Sequence, residues 1–110
     1  MTELNAALAR ATSPSWPQRA RAGRDLAAFV DVPEVAEAVL GLLLDAEDTA
    51  VTRQTAETLA RVGTAAAMRL IASAVAEADD NQADWIRTGV HDALADGAPP
   101  DIVAALDPYS

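Results

Sequence analysis

The chain has 110 residues, the size of one ordinary domain, and its lack of cysteine excludes disulfides and thiolate metal sites. Hydrophobic residues make up 51% and aromatic residues only 4%, and the many alanines favour closely packed helices over a β-sheet. The net charge of −9 argues against nucleic acid as a partner, because an acidic surface repels phosphate backbones.

The charge is distributed unevenly along the chain. Residues 1–30 contain four arginines and two acids, a net charge of +2, whereas residues 31–110 contain four arginines and fifteen acids, a net charge of −11. If this acidic part binds a protein, a basic partner suits it best; otherwise the charge serves solubility. We expect a cytoplasmic protein with no membrane association, since 1–11 lacks a signal-peptide pattern and the apolar stretch 38–44 is too short for a bilayer.

Helix-capping residues, prolines and apolar spacing predict seven helices in chain order. Thr2 caps the first, which runs to about residue 11, and Pro17 fits the first turn of a second that ends near residue 29. The third follows Pro33 and spans 34–45, and the fourth begins at Asp48 or Thr49. The fourth helix stops at Gly63, the fifth spans 64–78, the sixth runs from Asp80 or Asn81 to Gly97, and a short seventh covers 99–106.

The helices after residue 12 form pairs that recur every 34 residues. This shift places Arg19 on Arg53 and then on Arg87, and Gly63 on Gly97. Two helices of this kind cannot bury their apolar faces alone, so neighbouring pairs must stack. We therefore predict one all-α domain, a right-handed α-solenoid with an N-terminal helix at 1–12. Its three repeats would cover 13–46, 47–79 and 80–110, the last including a C-terminal cap.

The segment 48–79, DTAVTRQTAETLARVGTAAAMRLIASAVAEAD, resembles a bacterial HEAT repeat. That family has an acidic start, a Val-Arg pair, alanine and leucine at helical spacing, a glycine turn and a second apolar helix; here Thr52 separates Val51 from Arg53. The first and third repeats are similar more loosely. The resemblance implies binding of a partner by the solenoid surface, and an acid in the turn paired with the repeated arginine. At that turn position the three repeats have Ser13, Glu47 and Asn81. Only Glu47 is acidic, so a complete ladder of acid–arginine pairs is not expected.

A tetratricopeptide repeat has the same period but fits the residues less well. Trp85 and Gly89 match its pattern. Thr88 and Asp92, however, stand where that repeat has leucine and tyrosine. We therefore prefer the HEAT-like interpretation.

No catalytic, cofactor or metal site is predicted. His91 is the only histidine, and no nucleophile-elbow serine or Gly-rich phosphate loop is present. The stretch 79–84 begins like a calcium loop but lacks the glycine at position six and the glutamate at position twelve. Helix capping explains Asp48 and Asp80 more simply. DNA glycosylases occur among HEAT-like proteins, but they need a basic groove, so we expect a protein that is not an enzyme.

The candidate partner-binding residues lie on the second helix of each pair, where Asp101 is the candidate of the last pair, and on and just before the sixth helix. Asp84, Arg87 and His91 form a polar stripe that is either a recognition site or a solvated face. Trp85 either packs against the neighbouring repeat or anchors a partner. The full set is Glu34, Glu37, Arg69, Ser73, Glu77, Asp79, Asp80, Asp84, Trp85, Arg87 and His91. Structural roles are expected for the repeated positions Arg19, Arg53, Arg87, Gly63 and Gly97.

Two functions remain open at this point. The repeat favours a non-catalytic binding or adaptor module whose partner is another protein. The acidic segment also fits an antidote, an immunity-type inhibitor that presents carboxylates to a basic toxin or nuclease. Separately, Arg21 and Arg24 are neighbours that either meet an anionic surface or form a solvated face. Both a monomer and a dimer are compatible with the pattern.

Overall fold

The structure, a computed structural model, describes residues 2–95, and these residues form helices without any strand. The predicted all-α class is therefore confirmed for this part of the chain. The predicted seventh helix and Gly97 lie outside the described residues. The elements are α1 (Thr2–Arg10), α2 (Trp16–Leu26), a 3₁₀ turn (Ala27–Phe29), α3 (Pro33–Leu43), α4 (Thr49–Val62), α5 (Ala65–Glu77) and α6 (Asp80–Ala95).

The ends of α4 and α5 follow the predicted capping residues. The Asp48 carboxylate accepts a hydrogen bond from the backbone N–H of Ala50 at 2.8 Å. Gly63 ends α4 with φ 67°, a left-handed conformation that favours glycine. The Thr64 hydroxyl oxygen then accepts from the N–H of Ala67 at 3.1 Å and begins α5. Asp48 thus fixes the start of α4, and Gly63 and Thr64 make the α4–α5 turn a local product of the sequence.

The start of α6 differs from the prediction by one residue. Asp79, rather than Asp80 or Asn81, is the capping residue, because its Oδ1 accepts from the backbone N–H of Gln82 at 2.8 Å. Asp80 is already the first residue of the helix. A capping side chain must come from the residue just before the first turn, and with three consecutive polar residues the sequence alone left that position ambiguous.

Helix α4 lies at the centre of the molecule. It packs between α2 and α6, while α3 packs against α5 and α1 packs against α2. The largest side chains in the interior come from every helix between α2 and α6. They are Leu26, Val35, Val39, Leu43, Val51, Leu59, Ile71, Ile86 and Val90.

Two glycines allow α4 to approach its neighbours closely. A Cβ atom built on Gly23 in α2 would lie 2.5 Å from Oγ1 of Thr55 in α4. A Cβ atom on Gly89 in α6 would overlap the backbone oxygen of Arg53 and lie 3.0 Å from the Cβ of Ala56. Glycine and alanine at these crossings therefore set the short distance between the helices, in keeping with a composition rich in small residues.

Candidate functional site

Arg19 is a buried arginine that joins α2 to the turn before α4. Its Nε donates to Oδ2 of Asp45 at 2.8 Å, and its Nη1 donates to the backbone oxygen of Ser13 at 2.9 Å. The other carboxylate oxygen of Asp45 accepts from the N–H groups of Glu47 and Asp48 at 2.9 and 2.8 Å. The arginine therefore fixes two turns at once.

The closest acidic partner of Arg19 is Asp45, and Glu47, the acid at the repeated turn position, makes a longer contact with the same arginine. Glu47 lies 3.7 Å away with its side chain 80% exposed, whereas the Asp45 side chain is only 8% exposed. The sequence shows Asp45 two residues before Glu47 but does not show that it is buried. In the structure Asp45 caps its own turn with one oxygen, which leaves the other oxygen for the guanidinium of Arg19.

The other repeated arginines have different partners. Arg53 bridges α4 to α6 through Asp92 at 3.0 Å and also reaches Glu57 on its own helix at 3.3 Å. Arg87 is exposed and lies 3.6 Å from Asp84, one helical turn away. The three positions thus share a place in the sequence pattern without sharing a partner, so no uniform ladder of ion pairs runs through residues 2–95.

The candidate residues on α3 and α5 are accessible to a partner. Because α3 packs against α5, their outward sides lie next to one another. All five candidates on these helices are exposed, namely Glu34, Glu37, Arg69, Ser73 and Glu77. We call this set the second-helix row. Asp101, which the repeat would add to it, lies outside the described residues.

The candidate acids Glu77, Asp79, Asp80 and Asp84 lie around the turn between α5 and α6, and the remaining candidates lie farther along α6. Trp85 is partly buried, so its exposure alone does not decide between packing inside the fold and anchoring a partner. Of the others, the acids Glu77, Asp79, Asp80 and Asp84 are exposed, as are Arg87 and His91. We call the four acids the acidic corner, which shares Glu77 with the second-helix row. Within residues 2–95, no three histidines or acids come together in a way that would hold a metal ion.

A groove between α1 and α2 was not anticipated from the sequence. It has a volume of about 630 Å³ and contains Phe29, whose residue surface is 49% exposed. Its lining residues are Leu4, Ala6, Ala7, Arg10, Arg21, Asp25 and Phe29. Sequence reasoning singled out Arg21 as a cation but missed the groove, because the groove exists only where α1 docks on α2.

No family model, curated protein or solved structure matches this chain. What the fold itself defines is an all-helical domain over residues 2–95. In that range every helix is too short or too polar to cross a lipid bilayer. The functional argument therefore rests on the packing and surface of these helices.

Proposed function

We propose that the chain is a cytoplasmic, non-catalytic protein-binding module built as a short HEAT-like solenoid. Its right-handed stack would contain an N-terminal helix at 1–12 and repeats at 13–46, 47–79 and 80–110. The observation that carries the proposal is the order of packing: α4 lies between α2 and α6, and α3 lies against α5. First helices thus pack on first helices and second helices on each other, as in a stack of helix pairs.

Two periodic contacts support the same arrangement. Residues 23 and 55 approach each other closely. Adding 34 to both numbers gives residues 57 and 89, which also approach each other closely. Gly23 meets Thr55, and a Cβ on Gly89 would lie 3.0 Å from the backbone nitrogen of Glu57. Likewise Asp45 caps the N–H of Asp48, and Asp79 caps that of Gln82. Positions related by the 34-residue shift are therefore in contact in both cases, although the atoms that meet differ, and this supports the proposed repeat.

The second-helix row is the surface that we assign to the partner. In stacked helix pairs the second helices line one continuous face, which is the usual place for an extended partner. The row contains three carboxylates against the single cation Arg69, and the chain as a whole is acidic. A basic partner segment is therefore favoured there, since complementary charge speeds association and discriminates between partners.

Matched charge reversals test this assignment. Glu34→Lys/Glu37→Lys changes the second-helix row, and Asp80→Lys/Asp84→Lys makes the same charge change at the acidic corner. Proteins captured by each variant from the native host are quantified against those captured by the wild type, with thermal melts to check folding. We expect the first variant to lose a reproducible partner that the second retains. If the wild-type chain captures no reproducible partner, the proposal fails.

The acidic corner supports a second candidate, an antidote that neutralises a basic toxin or nuclease. Four exposed carboxylates lie within eight residues there, an arrangement suited to a cationic active site. In that case the corner variant, and not the row variant, loses the partner. The affinity should also fall as salt is raised from low to physiological strength, because screening weakens exposed charge pairs. Binding that is insensitive to salt would contradict this candidate.

A further inference from the structure

The groove between α1 and α2 has a regular construction. One wall is the row Arg21, Asp25 and Phe29, which are spaced four residues apart and so lie on one side of α2 and the 3₁₀ turn. The other wall is formed by α1, through Leu4, Ala7 and Arg10 among others. The first wall extends for roughly 12 Å, about two helical turns. This wall is therefore long enough to lie along about two turns of a partner helix.

The groove combines an apolar floor with an accessible aromatic ring. Phe29 is the most exposed of the large apolar residues among 2–95, and the groove also contains Leu4 and two alanines. An exposed ring beside a concavity is a typical anchor for an apolar side chain of a partner. We therefore expect the bound segment to place at least one large aliphatic side chain, such as leucine, on the apolar residues of the groove.

The charge of the groove is opposite to that of the whole protein. Two guanidiniums share one carboxylate: Arg10 lies 2.9 Å and Arg21 3.7 Å from the same oxygen of Asp25. The Nε of Arg10 is buried without a hydrogen-bond acceptor, and the Arg21 side chain is 60% exposed. Among the lining residues that the structure describes, one positive charge is therefore left over, on guanidiniums whose donors are incompletely used.

We propose that this groove is a docking site for an acidic amphipathic helix of a partner protein. A carboxylate of the helix pairs with Arg21, whose planar fork suits a carboxylate, and an apolar side chain packs on Phe29. The net charge of −9 opposes an acidic partner at long range. At physiological salt, charges farther away than about 8 Å are largely screened, so the charge of the groove itself determines the electrostatic energy once the partner is in contact. The site uses no residue of the second-helix row or the acidic corner, so this proposal and the proposed function can be tested independently.

Two synthetic helical peptides of about 14 residues provide the probes. The first has leucines on one face and glutamates on either flank, and its twin has lysine at every glutamate position. Each is titrated into ¹⁵N-labelled protein while the arginine Nε–Hε signals are recorded, with Arg10→Lys and Arg21→Lys used for assignment. We expect saturable shifts of the Arg21 signal with the acidic peptide and none with its twin. Arg21→Ala and Phe29→Ala should each weaken binding about tenfold.

Arg24→Ala is the matched control, because it removes the same charge from an exposed position on α2 that does not line the groove. Its affinity for the acidic peptide should equal that of the wild type. The proposal is overturned if no saturable shift occurs at millimolar peptide, if the lysine twin binds equally well, or if Arg24→Ala weakens binding as much as Arg21→Ala. Shifts reproduced by inorganic phosphate would show a simple anion site instead. Self-association of the free protein that Phe29→Ala abolishes would show that a second copy occupies the groove.

Discussion

Arg19 and Asp45 are separated by 26 residues and joined at 2.8 Å, with side chains only 9% and 8% exposed. Each partner also holds a turn, since Arg19 bonds the backbone oxygen of Ser13 and Asp45 bonds two N–H groups before α4. This ion pair therefore ties the beginning of the first helix pair to the beginning of the second.

Arg19→Ala should destabilise the protein by about 3–5 kcal/mol, because it leaves the buried carboxylate of Asp45 without its counter-charge. Urea denaturation followed by circular dichroism measures the loss. Arg87→Ala is the control and should change the unfolding free energy by less than about 0.5 kcal/mol, since that side chain is exposed. A loss below about 1 kcal/mol for Arg19→Ala would show that the pair does not hold the turns.

Two helical glycines should respond to alanine in opposite directions. Gly41→Ala is expected to stabilise α3 by about 0.5–1 kcal/mol, because a Cβ there has no atom within 4 Å and alanine favours the helix. Gly89→Ala should destabilise by at least about 1–3 kcal/mol, because its Cβ would meet the backbone of α4. Thermal melts of the two variants make the comparison, and equal effects would refute the close α4–α6 contact.

Gly63 should tolerate asparagine better than alanine. Its φ of 67° lies in the left-handed region, where a Cβ costs about 1 kcal/mol and asparagine is the least disfavoured side chain. We therefore expect Gly63→Ala to lower the unfolding free energy by about 1 kcal/mol and Gly63→Asn by less. If both variants match the wild type in denaturant, the helix end is not left-handed in solution.

The N-terminus of α6 can be located by alanine substitution. Asp79→Ala should cost about 1 kcal/mol, because it removes the oxygen that accepts from the N–H of Gln82. Asp80→Ala removes the same charge one residue later and should cost about half as much or less, through the helix dipole alone. The reverse order would restore Asp80 as the capping residue.

The sequence predicted those parts of the fold that depend on local chemistry. The start of α4 follows from Asp48 and the α4–α5 turn follows from Gly63 and Thr64, each of which acts within three or four residues of itself. The Arg19–Asp45 pair could not be read in the same way, because the burial that makes Asp45 the partner comes from how the helices pack. The residues of the second-helix row were predicted as a binding face from the repeat, and all five are exposed in the structure.

The α1–α2 groove shows the same limit more clearly. Arg21, Asp25 and Phe29 are visible as a row in the sequence, and a row with a single aromatic residue gives no reason to expect a cavity. The cavity arises because α1 docks beside that row and supplies the second wall. Which helix packs beside which row of residues is decided by tertiary structure. The helical periodicity of the sequence does not predict it.

The most direct test of the binding-module account is hydrogen exchange with and without a partner captured by the wild-type chain. Binding to the second-helix row predicts slower amide exchange in α3 and α5, with α1 unchanged. The same experiment on Glu34→Lys/Glu37→Lys should show no slowing. Slowing confined to α1 and α2, or no change in α3 and α5 at saturating partner, would contradict the account.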